Sequence, residues 1–163
     1  LQEAGQPGVR FLSVLPALPV PADLDPGMIS QALTNLIKNA GEAIESRQEE
    51  RGEPFEPTIQ VRLEVAGAEA RVVVEDNGVG LPEDRARLFE PYVTTRAKGT
   101  GLGLPIVKKI IEEHGGTLAL LDAPVFDGLA HAGAMAEIRL PRAPRRKPRN
   151  QTPADAMAAG QGG

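Results

Sequence analysis

No cysteine occurs in the chain. A disulfide framework and a thiolate metal site are therefore both excluded, which fits a reducing compartment. Histidine occurs only twice, too few for an ordinary zinc site. No stretch approaches the roughly 18 consecutive apolar residues that cross a bilayer, and no basic-then-apolar leader opens the sequence, so the chain as it stands is expected to be soluble. Its first residue is Leu1 rather than a methionine, and we expect a fragment of a longer protein. No internal repeat is visible. A phosphate loop of the form G-x-x-x-x-G-K-[ST] is also missing, which rules out that class of nucleotide site.

What is present suffices for one core. With 41% hydrophobic and 25% charged residues in 163, one domain is expected over residues 1–141. Charge is unevenly placed: from Arg142 onward five basic residues stand against Asp155 alone, a local +4 that leaves residues 1–141 at −8 of the overall −4. An acidic body does not suit a nucleic-acid partner, whose binding face would be basic. The tail, residues 142–163, is rich in Pro, Ala and Gly and is expected to be disordered.

Periodicity places the elements. A strand is expected within "VRFLSVLP", and Asp25-Pro26 supplies a capping residue followed by a proline suited to a first helical turn. Ile29, Leu33, Leu36, Ile37, Ala40 and Ile44 then recur at helical spacing and predict a helix that ends in the polar stretch "ESRQEERGEP". "TIQVRLEV" alternates, with Ile59, Val61, Leu63 and Val65 on one face, and with "RVVVED" it predicts an antiparallel hairpin. A polar, lid-like stretch, Pro82 to Thr100, precedes a helix from Leu104 to His114, the strand "TLALLD" and a last strand near "AMAEIRL". The fold class this predicts is α+β, with helices layered on a mixed, mostly antiparallel sheet.

Three features carry chemistry. Asn35, Asn39 and Glu42 form one polar stripe on the first helix. It reads either as an exposed polar edge or as hard-oxygen ligands for Mg²⁺. "EDNGVGLP", Glu75 to Pro82, is a turn signal, yet the second glycine and the proline fit a simple hairpin poorly. Asp76 there could accept a hydrogen bond from an exocyclic amine, and glycines beside it would let a flat ring approach the backbone. In "KGTGLGLPIVKKIIEEHGG", Gly99, Gly101 and Gly103 lead into a helix whose N-terminus favours phosphate, with Lys98 alongside. The dinucleotide fingerprint fails here, because Ile106 stands at the third glycine and no apolar strand precedes the loop.

Together, "NLIKNAGEAI", "DNGVGLP", "LFEPYVTT" and "KGTGLGLPIVKKIIEEHGG" resemble, in order and spacing, the ATP-binding catalytic domain of two-component sensor histidine kinases, with a particular likeness to the NtrY-type nitrogen-regulation kinases. The resemblance runs from about Asp25 to Pro141. It implies the Bergerat fold, an α/β sandwich that holds ATP between helices and a lid at about 82–100. It further implies that Asp76 binds the adenine amine with Gly78 and Gly80 giving the base room. Asn39 would coordinate Mg²⁺, with Asn35 and Glu42 lining the cleft. Lys98, Gly99, Thr100, Gly101, Leu102 and Gly103 would wrap the phosphates, and Phe89 and Tyr92 would border the lid. Asn35 stands where ATP-hydrolysing relatives place a glutamate, which suits transfer to a protein side chain.

By the same resemblance, the γ-phosphoryl group of ATP goes to a histidine on a separate dimerisation domain and then to an aspartate of a response regulator. Neither histidine of the chain sits in an acceptor context. His114 ends a helix, where its charge would suit the dipole, and His131 lies in a glycine- and alanine-rich loop. The fragment is thus expected to bind Mg·ATP in the cytoplasm without contacting membrane and without phosphorylating itself. The first helix usual in the family is cut short at "LQEAGQPG". Glu137 stands where relatives often carry a small hydroxyl residue near the adenine; the alternative is that it faces solvent. Two other readings stay open, a serine kinase or ATPase of the same superfamily and a nucleotide-binding module without turnover.

Overall fold

A computed structural model describes residues 8–16, 22–51, 54–91, 103–124 and 133–142. Along the chain these form β1 (Arg10–Val14), α1 (Pro26–Arg51), β2 (Thr58–Ala66), β3 (Glu69–Asp76), a short 3₁₀ helix (Arg85–Phe89), α2 (Gly103–Glu113), β4 (Thr117–Asp122) and β5 (Ala134–Pro141). The strands make one sheet in the order β1-β2-β3-β5-β4. Among the described strands only the β1–β2 pair is parallel; β2–β3, β3–β5 and β4–β5 are antiparallel. The mixed, mostly antiparallel sheet with helices on it is the architecture that the alternation and helical spacing imply.

Local chemistry explains why α1 begins where it does. Asp25 Oδ1 accepts a hydrogen bond from the Met28 N–H at 3.1 Å, satisfying one of the donors a helix start leaves open, and Pro26 has no N–H to satisfy. The helix continues to Arg51, through much of the stretch that its polarity marks as a terminus. Arg47 accounts for part of this, since it is buried at 4% exposure rather than solvated.

Alternation along each strand sends neighbouring side chains to opposite faces. Ile59, Val74, Ala136, Ile138 and Leu140 meet Leu36, Ile37 and Ile44 of α1 and Val107, Ile110 and Ile111 of α2 in one core. Pattern marks the face but not the depth: Val65, on the same face of β2 as Ile59, is 45% exposed at the hairpin end. The opposite face carries Arg62, Glu64, Arg71, Glu75, Glu137 and Arg139 in an interlocked set of ion pairs. A smaller apolar cluster, Val73 with Ala123 and Met135, sits apart from the main core.

Candidate nucleotide site

The end of β3 and the middle of α1 are held against each other by backbone, not only by side chains. Val79 N–H donates to the Ala43 carbonyl at 2.9 Å. The loop lies so close that a Cβ on Gly78 would sit 2.6 Å from the Ala43 oxygen and 2.7 Å from its Cβ, so only glycine fits. Gly80 takes a left-handed φ of 89° as the chain leaves the loop. Asp76 is buried at 4% exposure, and its Oδ1 accepts from Gly78 N–H at 2.8 Å, which fixes the carboxylate in a tight turn. The start of β5 closes on it from the other side: a Cβ on Gly133 would overlap the Asp76 carbonyl oxygen.

Asn77, which pattern reading passes over as part of a turn, is the brace of this loop. It is 2% exposed. Its Oδ1 accepts from Thr58 N–H at 2.8 Å and its Nδ2 donates to the Glu56 carbonyl at 2.7 Å, tying the loop to the strand beside it. Arg47 donates to the Asn77 carbonyl at 2.5 Å while its guanidinium lies 3.9 Å from the centre of the Phe55 ring. Burial of an arginine stacked on an aromatic could not be told from a solvated charge in "ESRQEERGEP"; the nearby phenylalanine was the one available signal.

One helical turn before Ala43 lies Asn39. A Cβ built on Gly103, the first residue of α2, would stand 3.7 Å from Asn39 Oδ1 and 3.8 Å from Nδ2, so the start of α2 adjoins this amide directly. Asn35, Asn39 and Glu42 are each half-buried, neither solvated nor enclosed. Neither Asn35 nor Asn39 makes a side-chain hydrogen bond to a described residue. The stripe runs along α1 past Gly103, which adjoins its middle residue, toward the Gly78 loop, at a rise of about 5.4 Å per helical turn. Its donors are hard oxygens and few in number, a set that suits a Mg²⁺ completing its shell with water and phosphate.

Not every candidate falls among the described residues. Lys98, Gly99, Thr100, Gly101, Leu102, Tyr92 and His131 lie outside them, as do the lid beyond Pro91 and the tail beyond Arg142. The described part of the lid region includes the 3₁₀ helix, fastened by Arg85 to Asp122 at 2.7 Å and by Lys108 Nζ, 5.1 Å from the centre of the Phe89 ring.

Two expectations are corrected. His114 does not act as a cation at a helix end: Nε2 accepts from Asp25 N–H at 3.0 Å and Nδ1 lies 2.7 Å from the Ile110 carbonyl, so the ring is used as the neutral Nδ1–H tautomer. Glu137 neither lines the nucleotide side nor faces solvent. It lies on the opposite sheet face from Asp76, 5% exposed, and bonds Arg71 at 2.6 Å and Arg139 at 2.6 Å. The Arg71 hydrogen bond, then that of Arg139, hold its carboxyl below the usual range against the opposing effect of burial. Arg71 is raised in turn, mainly by its bond to Glu137.

Residues 24–144 match the family described as histidine kinase-, DNA gyrase B- and HSP90-like ATPases. The chain belongs to this family. It is 52% identical over 126 residues to the nitrogen regulation protein NtrY of Azorhizobium caulinodans, covering 76% of the chain and 16% of that protein. To the sensory histidine kinase/phosphatase NtrB of Azospirillum brasilense it is 37% identical over 152 residues, covering 80% of the chain and 37% of the relative. The chain thus spans a minor part of either relative's length. The mycobacterial sensor histidine kinase MprB superposes with a TM-score of 0.69 at 27% identity, over 84% of each chain. The fold is that of the histidine kinase ATP-binding domains.

Proposed function

We propose that this domain binds Mg·ATP along the α1 stripe and donates the γ-phosphoryl group to a histidine on a separate dimerisation domain, from which it passes to a response-regulator aspartate. The juxtaposition of Asn39 with the first residue of α2 carries the reading, because it sets a hard-oxygen amide beside the positive end of a helix. Asp76, held by the Gly78 N–H, would accept the adenine amine. The Gly78 and Gly80 loop would flank the ring.

Asn39 would take the metal, with Asn35 and Glu42 beside it on the same helix face. Lys98 through Leu102, with Gly103, would wrap the phosphates. Bound Mg·ATP supplies the transferable phosphoryl group and the charge that neutralises it. The chain's own part is to orient and to exclude water. Asn35 is an amide, which cannot take a proton from water, and this favours a side-chain acceptor over hydrolysis. Both nitrogens of His114 are engaged, so it is no acceptor in this arrangement. The domain would occupy residues 1–141 and work in the cytoplasm, where its nucleotide is found.

Calorimetric titration with ATP, with and without Mg²⁺, tests the site. Asp76→Asn is expected to weaken binding at least about tenfold, the size of a lost hydrogen bond to a charged group. Asn39→Ala should remove the Mg²⁺ dependence. Equal affinities in wild type and both variants would overturn the assignment. Supplying the dimerisation domain in trans with γ-labelled ATP then asks whether the label reaches its histidine; steady release of free phosphate instead would favour an ATPase.

A further inference from the structure

The two helices that flank the proposed cleft come together at two separate places, by close approach at one and by a hydrogen bond at the other. At one, α2 begins beside Asn39. At the other, α2 ends beside the start of α1, where His114 Nε2 accepts from Asp25 N–H at 3.0 Å. The pair therefore runs antiparallel. At 1.5 Å per residue, the Asp25-to-Asn39 span of α1 rises about 21 Å and the Gly103-to-His114 span of α2 about 16 Å, so the contacts stand near opposite ends of the shared length.

Between them the helices meet through Leu36, Ile37, Val107, Ile110 and Ile111. Apolar contact of this kind is non-directional and tolerates sliding. A hydrogen bond is directional and does not. Packing alone would let the far end of α2 shift along α1; the His114 bond to Asp25 N–H fixes that end, and with it the direction in which the start of α2 points past Asn39.

We propose that His114 is a positioning residue of the nucleotide site: its bond to Asp25 N–H holds the C-terminal end of α2 to the first turn of α1, so that the N-terminal end of α2 stays aimed at phosphates beside Asn39. The inference rests on the ATP-binding reading. The ring is suited to the task because its two nitrogens do different things. Nδ1–H donates to the Ile110 carbonyl at 2.7 Å and orients the imidazole, and that orientation leaves Nε2 as an acceptor pointing off the helix. The end of α2 is itself secured without the ring, since Gly115 N–H donates to the Glu112 carbonyl at 3.0 Å and Gly116 N–H to the Ile111 carbonyl at 2.9 Å. The side chain is thereby available for the link between helices.

Two substitutions separate the functions of the two nitrogens. His114→Asn can keep the local bond to Ile110 but is too short to reach Asp25; His114→Gln can reach Asp25 with its amide oxygen. The readout is the ratio of ATP to adenosine affinity, because the adenine end of the site rests on β3 and the middle of α1 and does not depend on where α2 points. His114→Asn is expected to lower ATP affinity about fivefold to tenfold with adenosine affinity unchanged, and His114→Gln to restore ATP affinity to near the wild-type value. A loss of stability alone would weaken both ligands alike. In the wild-type chain, ¹⁵N NMR of the imidazole should show Nδ1 protonated and Nε2 bare. If the wild type binds ATP and His114→Asn keeps its ATP-to-adenosine ratio, or if His114→Gln behaves as His114→Asn, the inference fails and the site assignment stands. If the wild type does not bind ATP, both fail.

Discussion

Glu137 and Ile138 are neighbours in β5, both buried, and they belong to two different kinds of surface. Ile138, 2% exposed, faces the helices and joins the main core. Glu137, 5% exposed, faces the other way and is held by Arg71 and Arg139. On the first face, burial is stabilising whichever apolar neighbour is met. On the second it is tolerated only because each charge finds a specific partner: Arg62 meets Glu64 of its own strand at 2.8 Å and Glu75 of β3, and Arg71 meets Glu64 across the hairpin at 3.0 Å. The apolar face fastens the helices that frame the proposed nucleotide cleft. The charged face sets which strand residues stand opposite one another, since a one-residue slip would turn the arginines and glutamates inward.

The largest contrast is obtained at the apolar position. Ile138→Ala should destabilise the domain by about 2–5 kcal/mol, the cost of lost transfer energy and the cavity left behind. Because Ile138 packs in the cluster that includes both helices, its loss should also weaken nucleotide binding at temperatures near the transition. Chemical denaturation checks the first effect through an earlier midpoint with an unchanged slope. A shift below about 0.5 kcal/mol would mean that the helix layer is not held by this face.

This division was partly legible in the sequence. Alternation in "TIQVRLEV" separates the two faces correctly, and spacing with capping places the start of α1 and both ends of α2 to within a residue, whereas α1 runs on to Arg51, well past Ile44. Sequence pattern singles out Asn39 and Gly103 separately, and the fold brings the two side by side. What escaped notice depends on contacts made far along the chain. Gly133 reads as loop composition until the Asp76 carbonyl is seen against it. Asn77 reads as a turn residue until its amide is found between Thr58 and Glu56. His114 reads as a dipole partner until Asp25 occupies its other nitrogen. Glu137 reads as a residue on the nucleotide wall, although counting two residues at a time from Ile138 would already have assigned it the opposite face.

A smaller effect, with a different signature, is expected on the charged face. Glu137→Gln removes the acceptor charge from two arginines and should cost about 1–3 kcal/mol near neutral pH, less than a fully enclosed ion pair would, because Arg139 is largely exposed. The pH dependence identifies the cause. The folded carboxyl is held below its ordinary value of 4.5, so the unfolded chain takes up the proton first as pH falls. The stabilisation is complete above the ordinary value and declines as pH drops from there through the lowered folded value. The difference between wild type and Glu137→Gln should therefore be flat from about pH 6 to 8 and shrink below about pH 4.5. A difference that stays constant into acid would assign the effect to packing instead. Ile138→Ala serves as the control, since no proton is linked to it.

Arg139 provides the finest test, since it lies on the charged face but its side chain is 54% exposed. It bonds Glu137 at 2.6 Å and approaches Glu69 at 3.9 Å. If every pair on this face contributed equally, Arg139→Ala would cost as much as Glu137→Gln. Solvent argues otherwise, because an exposed guanidinium contributes little to the carboxylate it meets and Glu137 keeps Arg71. The expected loss is below about 1 kcal/mol and should diminish further in 0.5 M salt, where exposed charges are screened over a few ångströms. A double-mutant cycle between Arg139→Ala and Glu137→Gln, repeated with Arg71→Ala in place of Arg139→Ala, ranks the two links directly. A larger coupling to Arg139 than to Arg71 would show that strand β5 carries its own charge pair and that the cross-strand bond is secondary. The expected order, Arg71 ahead of Arg139, makes the less exposed β3–β5 bond the one that matters for register.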